Sequence, residues 1–118
     1  MVASAVELVA IEEVERLLAQ GRVSVFGEAE LAYAHARSDP SRRLAARLAA
    51  KRAASRAMGG GIAEHEVEVV RGEYGPPELR LAPAARARMD ALGAGRALVS
   101  LTHERRHAAA LVVLVAAR

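Results

Sequence analysis

Residues 40–58 constrain this chain more than any other stretch. The segment PSRRLAARLAAKRAASRAM holds seven alanines, six basic residues and no acid, with Leu44 and Leu48 as its large branched side chains. It reads as the longest helix of the chain. Pro40 sits in the first turn, Ser38 or Asp39 serves as cap, and Gly59-Gly60-Gly61 stops it. Leu44, Leu48 and several alanines form its apolar face, and alanine buries little area. The whole chain shares the bias: 28 of 118 residues are Ala, and the aromatics are only Phe26, Tyr33 and Tyr74. A small domain with so thin a core gains from an oligomer interface. GC-rich coding, suggested by 16 Arg against one Lys, accounts for the bias equally well.

The length fits a single domain over residues 1–118. A charged fraction of 26% and periodic apolar segments exclude wholesale disorder. The longest apolar run, 108–117, is too short to cross a bilayer, so no membrane partner is expected. The N-terminus lacks the basic region of a secretory signal. The absence of Cys excludes a disulfide framework and a thiolate metal site. A cytoplasmic protein is the expectation.

Along the chain, Val2–Val9 reads as a strand containing Glu7, and Ile11 to Gly21 as a helix with apolar residues at helical spacing. Gly27–Ala36 reads as a second helix and 40–58 as the third. HEVEVV alternates like a strand, Glu73–Pro77 is a turn, and Glu78–Leu81 completes a hairpin. Pro83–Leu92 is a short helix. Arg96–Leu101 and His107–Val115 are two strands around a turn. The order predicts an α+β domain with a largely antiparallel sheet.

Charges are segregated. Arg43, Arg47 and Lys51 share one face of the long helix, and Arg52 and Arg56 form an adjacent row. The stripe suits a phosphate-bearing anion, or is a solvated face. Six acids, Glu7, Glu12, Glu13, Glu15, Glu28 and Glu30, fall in the first thirty residues. They are set to pair with the basic helix within the fold or across subunits. Without interleaved aromatics or a binding motif, nucleic acid is not an expected partner.

Four pieces in order carry a family resemblance. Ala5-Val6-Glu7-Leu8-Val9-Ala10-Ile11 falls where a G-[IV]-D-[IL]-V-x-I motif stands. Phe26-Gly27-Glu28-Ala29-Glu30-Leu31-Ala32-Tyr33 is similar to F-T-x-x-E-L-x-Y. Arg47-Leu48-Ala49-Ala50-Lys51-Arg52-Ala53 and the following glycines are similar to R-F-A-A-K-E-A and a G-T-G-like loop. Ser100-Leu101-Thr102-His103, then Ala108-Ala109-Ala110, is similar to S-[IL]-[ST]-H…A-x-A. Over almost its whole length the chain resembles the holo-acyl-carrier-protein synthases, the small 4′-phosphopantetheinyl transferases. The resemblance implies a long helix packed on a mainly antiparallel sheet, and a trimer with clefts between subunits. It implies transfer of phosphopantetheine from coenzyme A to a carrier-protein serine. Mg²⁺ would be held by the Asp of the first motif and the Glu of the K-E pair, with basic residues on the other phosphates.

The departures are specific. Glu7 replaces the metal-binding Asp and Arg52 the metal-binding Glu; a guanidinium cannot ligate Mg²⁺. Arg56 matches the second lysine of the helix. Glu13 stands where a basic residue docks the acidic carrier, which opposes docking. Gly27 replaces the motif threonine. These departures lead to the expectation of a repurposed, metal-independent small enzyme, of cyclase, dehydratase or isomerase type. It would act on an anionic or polyketide-like small molecule of natural-product biosynthesis, in an inter-subunit cleft. His103, Glu7 and Arg52 are its catalytic candidates. Arg43, Arg47, Lys51, Arg56, Gly59 and Gly60 are its anion-binding candidates. Glu30, Ser100, Thr102 and His107 are secondary candidates, while His35 and His65 read as surface residues. A Glu7–Arg52 ion pair filling the vacated metal position is the structural alternative for those two residues. No cofactor is expected in this reading. Two further readings stay open: an active transferase using Mg²⁺ and coenzyme A, and a non-catalytic binding or assembly homologue.

Overall fold

The computed structural model describes residues 1–71 and 75–117. The expected turn at Glu73–Pro77 falls partly outside these residues, as does Tyr74. The chain runs β1 (Ala3–Ala10), α1 (Ile11–Ala19), α2 (Glu28–His35), α3 (Pro40–Ala57), β2 (Val67–Arg71), β3 (Pro77–Leu81), α4 (Pro83–Ala91), β4 (Ala94–His103) and β5 (His107–Ala116). A single 3-10 turn at Glu64–Glu66 precedes β2. The expected order of elements and the α+β class hold. Ends differ by at most two residues; β4, for example, begins earlier, at Ala94, through a bulge opposite β5. Gly95 is required at that bulge, where a Cβ would come within 2.7 Å of the Ala117 backbone.

Two antiparallel units result. β1, β5 and β4 form one sheet with β5 in the middle, and β2 and β3 form a hairpin. HAAALVVLVA takes the central place because both of its neighbours need an apolar partner strand. Ala108, Ala110, Val112 and Leu114 of β5 are buried on the face that receives α3. Their small size lets the helix lie close, and Ala45, Ala46, Ala49, Ala50, Ala53 and Ala54 on α3 are all buried. The thin alanine helix is therefore the centre of the core, with Leu44, Leu48 and Met58 filling the larger gaps. Its helical dipole end is closed by three glycines in the left-handed region, at φ 94°, 89° and 79°. The expected side-chain cap at the other end does not form. Asp39 is the N-cap residue, but its carboxylate accepts from Arg43 Nε at 3.2 Å instead.

The opposite face of the sheet carries Val6 and Leu8 of β1, Leu98 of β4 and Leu111 of β5, which are 60%, 64%, 45% and 40% exposed. Among the described residues no helix is long and apolar enough to cross a membrane.

Candidate functional site

Alternation along β1 puts Ala5, Glu7 and Val9 on the face toward α3. On β4 the same alternation turns Val99, Leu101 and His103 inward and Ser100 and Thr102 outward to solvent. Glu7 and His103 therefore share a face but stand on the two outer strands, with β5 between them. Glu7 is in register with Ala110, and Ala110 with Leu101. Two strand spacings separate the columns by roughly 10 Å. Within one chain these two candidates do not converge on one reacting atom.

The two rows of the basic helix have different fates. Arg47 and Lys51 are buried, at 3% and 1% exposure; the row of Arg43, Arg47 and Lys51 is no solvated face. Lys51 meets the Glu30 carboxylate at 2.7 Å and donates to Glu64 O and Val67 O at 3.1 and 2.5 Å. Its three donors are all engaged, so the ammonium offers nothing to a ligand phosphate. Glu30 is equally committed, accepting from the Gly27 and Val69 backbone N–H groups at 2.8 Å each. This pair ties α2, α3 and β2 together, and Lys51 also lies along the wall of the cavity bordered by Arg52 and Arg56.

Arg47 is the contrasting case. Its guanidinium stacks on the Tyr33 ring at 4.2 Å, and Arg37 stacks on the same ring at 4.5 Å. Its Nη1 donates to Arg43 O at 3.4 Å, while its buried Nε has no partner among the described residues. Burial pulls the Arg47 guanidinium below its ordinary pKa, against the opposing pull of Tyr33; it stays charged. Burial raises the Tyr33 hydroxyl, but Arg37, then Arg47, Arg43 and Arg71, outweigh it and hold it below the usual phenol value. Beside this cluster, burial works to raise the Asp39 carboxyl, and Arg43, with a smaller pull from His103, holds it below the usual carboxylate range. His103 Nδ1 is buried without a partner among the described residues. The α3 N-terminal half thus presents an arginine cluster with two orphaned buried polar atoms, an arrangement suited to a phosphate. Tyr33, Arg37 and Arg71 were absent from the sequence-based candidates. Tyr33 lies in the last turn of α2 and Arg37 just beyond its end, so no helical spacing pairs them in the sequence, and nothing in it brings Arg71 to them.

The second row, Arg52 and Arg56, borders a cavity of about 240 Å³ together with Lys51, Ser55, Gly60, Ile62 and Glu64. The expected Glu7–Arg52 ion pair does not form. Arg52 donates from Nη1 and Nη2 to Glu13 at 3.2 and 2.5 Å, and Arg56 Nη1 pairs with Glu7. One helical turn separates Arg52 from Arg56, and that turn decides which meets α1 and which meets β1. The Arg52 hydrogen bond is the main reason the Glu13 carboxyl lies below its ordinary value. The expected pairing of the N-terminal acids with the basic helix holds within the fold for Glu7, Glu13 and Glu30. Gly59 and Gly60 belong to a held loop: Arg88 Nη1 donates to Met58 O and Gly60 O at 2.8 Å each, and Ser55 O accepts from Gly60 N–H at 2.7 Å. His107 is exposed against Glu104 at 3.3 Å, and His35 and His65 are exposed.

Comparisons with known proteins agree with this architecture. No family model matches the chain. A curated relative named holo-acyl-carrier-protein synthase, from Thermus thermophilus, is 46% identical over 121 residues, covering 98% of this chain and 94% of the relative. The chain belongs to the holo-acyl-carrier-protein synthase family. The solved acyl carrier protein synthase of Mycobacterium tuberculosis is 32% identical with a TM-score of 0.78, covering 98% of each chain. A synthase–coenzyme A complex from Chronobacterium ammoniagenes is 25% identical with a TM-score of 0.83, covering 98% of this chain and 97% of that one. The expectation of a repurposed cyclase, dehydratase or isomerase finds no support among these relatives, whose names point to the transferase reading instead.

Family membership implies Mg²⁺ at positions 7 and 52. The residues do not fit it. Position 52 is a guanidinium already bonded to Glu13, and the Glu7 carboxylate is bonded to Arg56. Among the described residues, no three His, Cys, Asp or Glu side chains gather at a metal-holding distance.

Proposed function

We propose that this chain transfers 4′-phosphopantetheine from coenzyme A to a serine of an acyl carrier protein. Family membership at 46% identity supports the reading. The observation that carries it is Arg47: a buried guanidinium with no carboxylate partner among the described residues and an orphaned Nε, in a cluster with Arg37, Arg43 and Tyr33. A buried cation without a counter-charge is costly, and a ligand phosphate supplies that charge. His103, whose buried Nδ1 has no partner among the described residues and whose charge acts on Asp39, joins Arg47 in this reading as a phosphate contact.

In the reaction, the serine oxygen attacks the phosphorus that bears pantetheine. The pyrophosphate P–O bond breaks, 3′,5′-ADP leaves, and the serine proton is released. The protein's part is mostly positioning and neutralising charge on the phosphates. Arg43 and Arg47 hold phosphate at the α3 N-terminal half, and Arg52 and Arg56 face the other half across the 240 Å³ cavity.

The proposal includes a homotrimer. Its support is the exposed apolar sheet face of Val6, Leu8, Leu98 and Leu111, which a neighbouring subunit would cover.

The test is intact-mass measurement of an apo carrier protein incubated with coenzyme A and this protein. Gain of one phosphopantetheine is expected. Absence of that gain with several carriers overturns the reading. Arg47→Ala is expected to weaken coenzyme A binding by about tenfold to a hundredfold, the value of a charged hydrogen bond.

A further inference from the structure

The position where a divalent cation is implied carries opposite chemistry here. A hard divalent cation needs several oxygen ligands. Both guanidinium Nη atoms of Arg52 occupy the Glu13 carboxylate, and Arg56 occupies Glu7. A cation placed there would face two permanent positive charges and would have to displace Arg56 to reach Glu7. Arginine neither deprotonates nor accepts a hydrogen bond.

A phosphate faces the reverse situation. Both ion pairs are partly solvated: the Arg52 and Glu13 side chains are 35% and 33% exposed, and Arg56 is 68% exposed. Exposed pairs of this kind are weak, so a phosphate oxygen exchanges for a carboxylate oxygen at little cost. Each guanidinium also keeps further N–H donors for a phosphate without leaving its acid. The adjoining loop leaves room: a Cβ built on Gly60 meets nothing within 4 Å, and Arg88 holds the loop in place.

We infer that Arg52 and Arg56 meet the charge of the ligand's pyrophosphate in this groove, and that coenzyme A binds without a divalent cation. The inference rests on the proposed transferase reading for the identity of the ligand. The two arginines do for the ground-state pyrophosphate what a bound cation would otherwise do, while Glu13 and Glu7 hold them extended over the groove when no ligand is present.

Two measurements test this on the full chain. Calorimetric titration with coenzyme A is run in EDTA and in MgCl₂, and Mn²⁺ binding is followed by electron paramagnetic resonance. Affinities within about twofold of each other in the two buffers, and free Mn²⁺ signal throughout, are expected. Affinity about tenfold or more lower in EDTA, or stoichiometric Mn²⁺ uptake, overturns the inference. Arg52→Ala would also release Glu13, so Arg52→Ala/Glu13→Ala is titrated beside it. Both are expected to lose about tenfold in coenzyme A affinity in EDTA; a double variant binding like the parent overturns the inference. The transferase reading falls separately. Carrier modification together with coenzyme A binding that appears only in MgCl₂ keeps that reading and removes this inference. Metal-independent coenzyme A binding without carrier modification does the opposite.

Discussion

Replacing Glu30 by Gln isolates the staple under the site. Both Glu30 and Lys51 are fully buried, and the ion pair spans 2.7 Å. Glu30 Oε1 serves Lys51 Nζ and the Gly27 N–H, while Oε2 serves the Val69 N–H. A Gln side chain has one oxygen and one NH₂. With the oxygen kept at the Oε1 position, the NH₂ points at the Val69 N–H, donor against donor. The flipped amide is worse, since it turns the NH₂ on both the ammonium and the Gly27 N–H. Either way Lys51 keeps a buried charge with only carbonyls around it.

Breaking one partner of such a pair costs about 3–5 kcal/mol. An unfolding entropy of roughly 2.1 cal/mol/K per residue converts this to a Tm fall of roughly 12–20 °C for a chain of this length. That is a large share of a stability of about 5–15 kcal/mol. Urea unfolding at neutral pH, with the m-value checked for two-state behaviour, reads the change directly. Lys51→Met strands Glu64 O and Val67 O and is expected to cost a similar amount. The double variant is expected to cost less than the sum, because the partner's unpaired charge is counted only once. A Glu30→Gln change below about 0.5 kcal/mol, the scale of an ordinary surface substitution, would refute the reasoning. It would also reopen Lys51 as a ligand contact.

Three further outcomes follow from named contacts. Arg88→Ala removes both Arg88 bonds to the glycine loop and is expected to lower stability by about 1.5–3 kcal/mol; an unchanged thermal midpoint refutes the loop clamp. Arg52 holds the Glu13 carboxyl below its ordinary value, so that pair's contribution is complete above about pH 4.3 and is lost as pH falls through the lower folded value. The stability difference between the parent and Glu13→Gln, at most about 1 kcal/mol for a partly exposed pair, is expected to be flat from neutral pH to about pH 5 and to shrink below about pH 4; urea midpoints across that range check it, and a difference that grows with acid contradicts it. Leu8→Lys on the 64% exposed position of β1 is expected to shift the assembly toward monomer in light scattering, and a parent protein that is already monomeric removes the trimer.

The fold was legible because its signals are local. Three glycines end α3, Pro83 opens α4, and alternation marks β2, each readable within a few residues. The site was less legible because it depends on which helix face meets which strand. Spacing places Arg43, Arg47 and Lys51 on one face, but does not say that this face is the buried one, since its other members are alanines that suit either environment. A lysine at 1% exposure has no distinguishing neighbour in the chain. Its partner Glu30 is 21 residues away and looked like a candidate for chemistry.

The two ion pairs show the same limit from another side. Along the sequence, an acid at 13 and a base at 52 look like two separate departures, one removing a metal ligand and the other a docking charge. In space they are one bidentate contact. Each change alone would leave an uncompensated charge between α1 and α3; together they sum to zero. Glu7 with Arg56, one turn along the helix, differs: each keeps the charge sign of the family motif, and the two close on each other. Departures from a family pattern therefore weigh less as evidence of decay when the structure shows them neutralising one another. Here they describe a site whose charge balance is complete without a cation. That is why the transferase reading and the missing metal-binding acid are compatible in one chain.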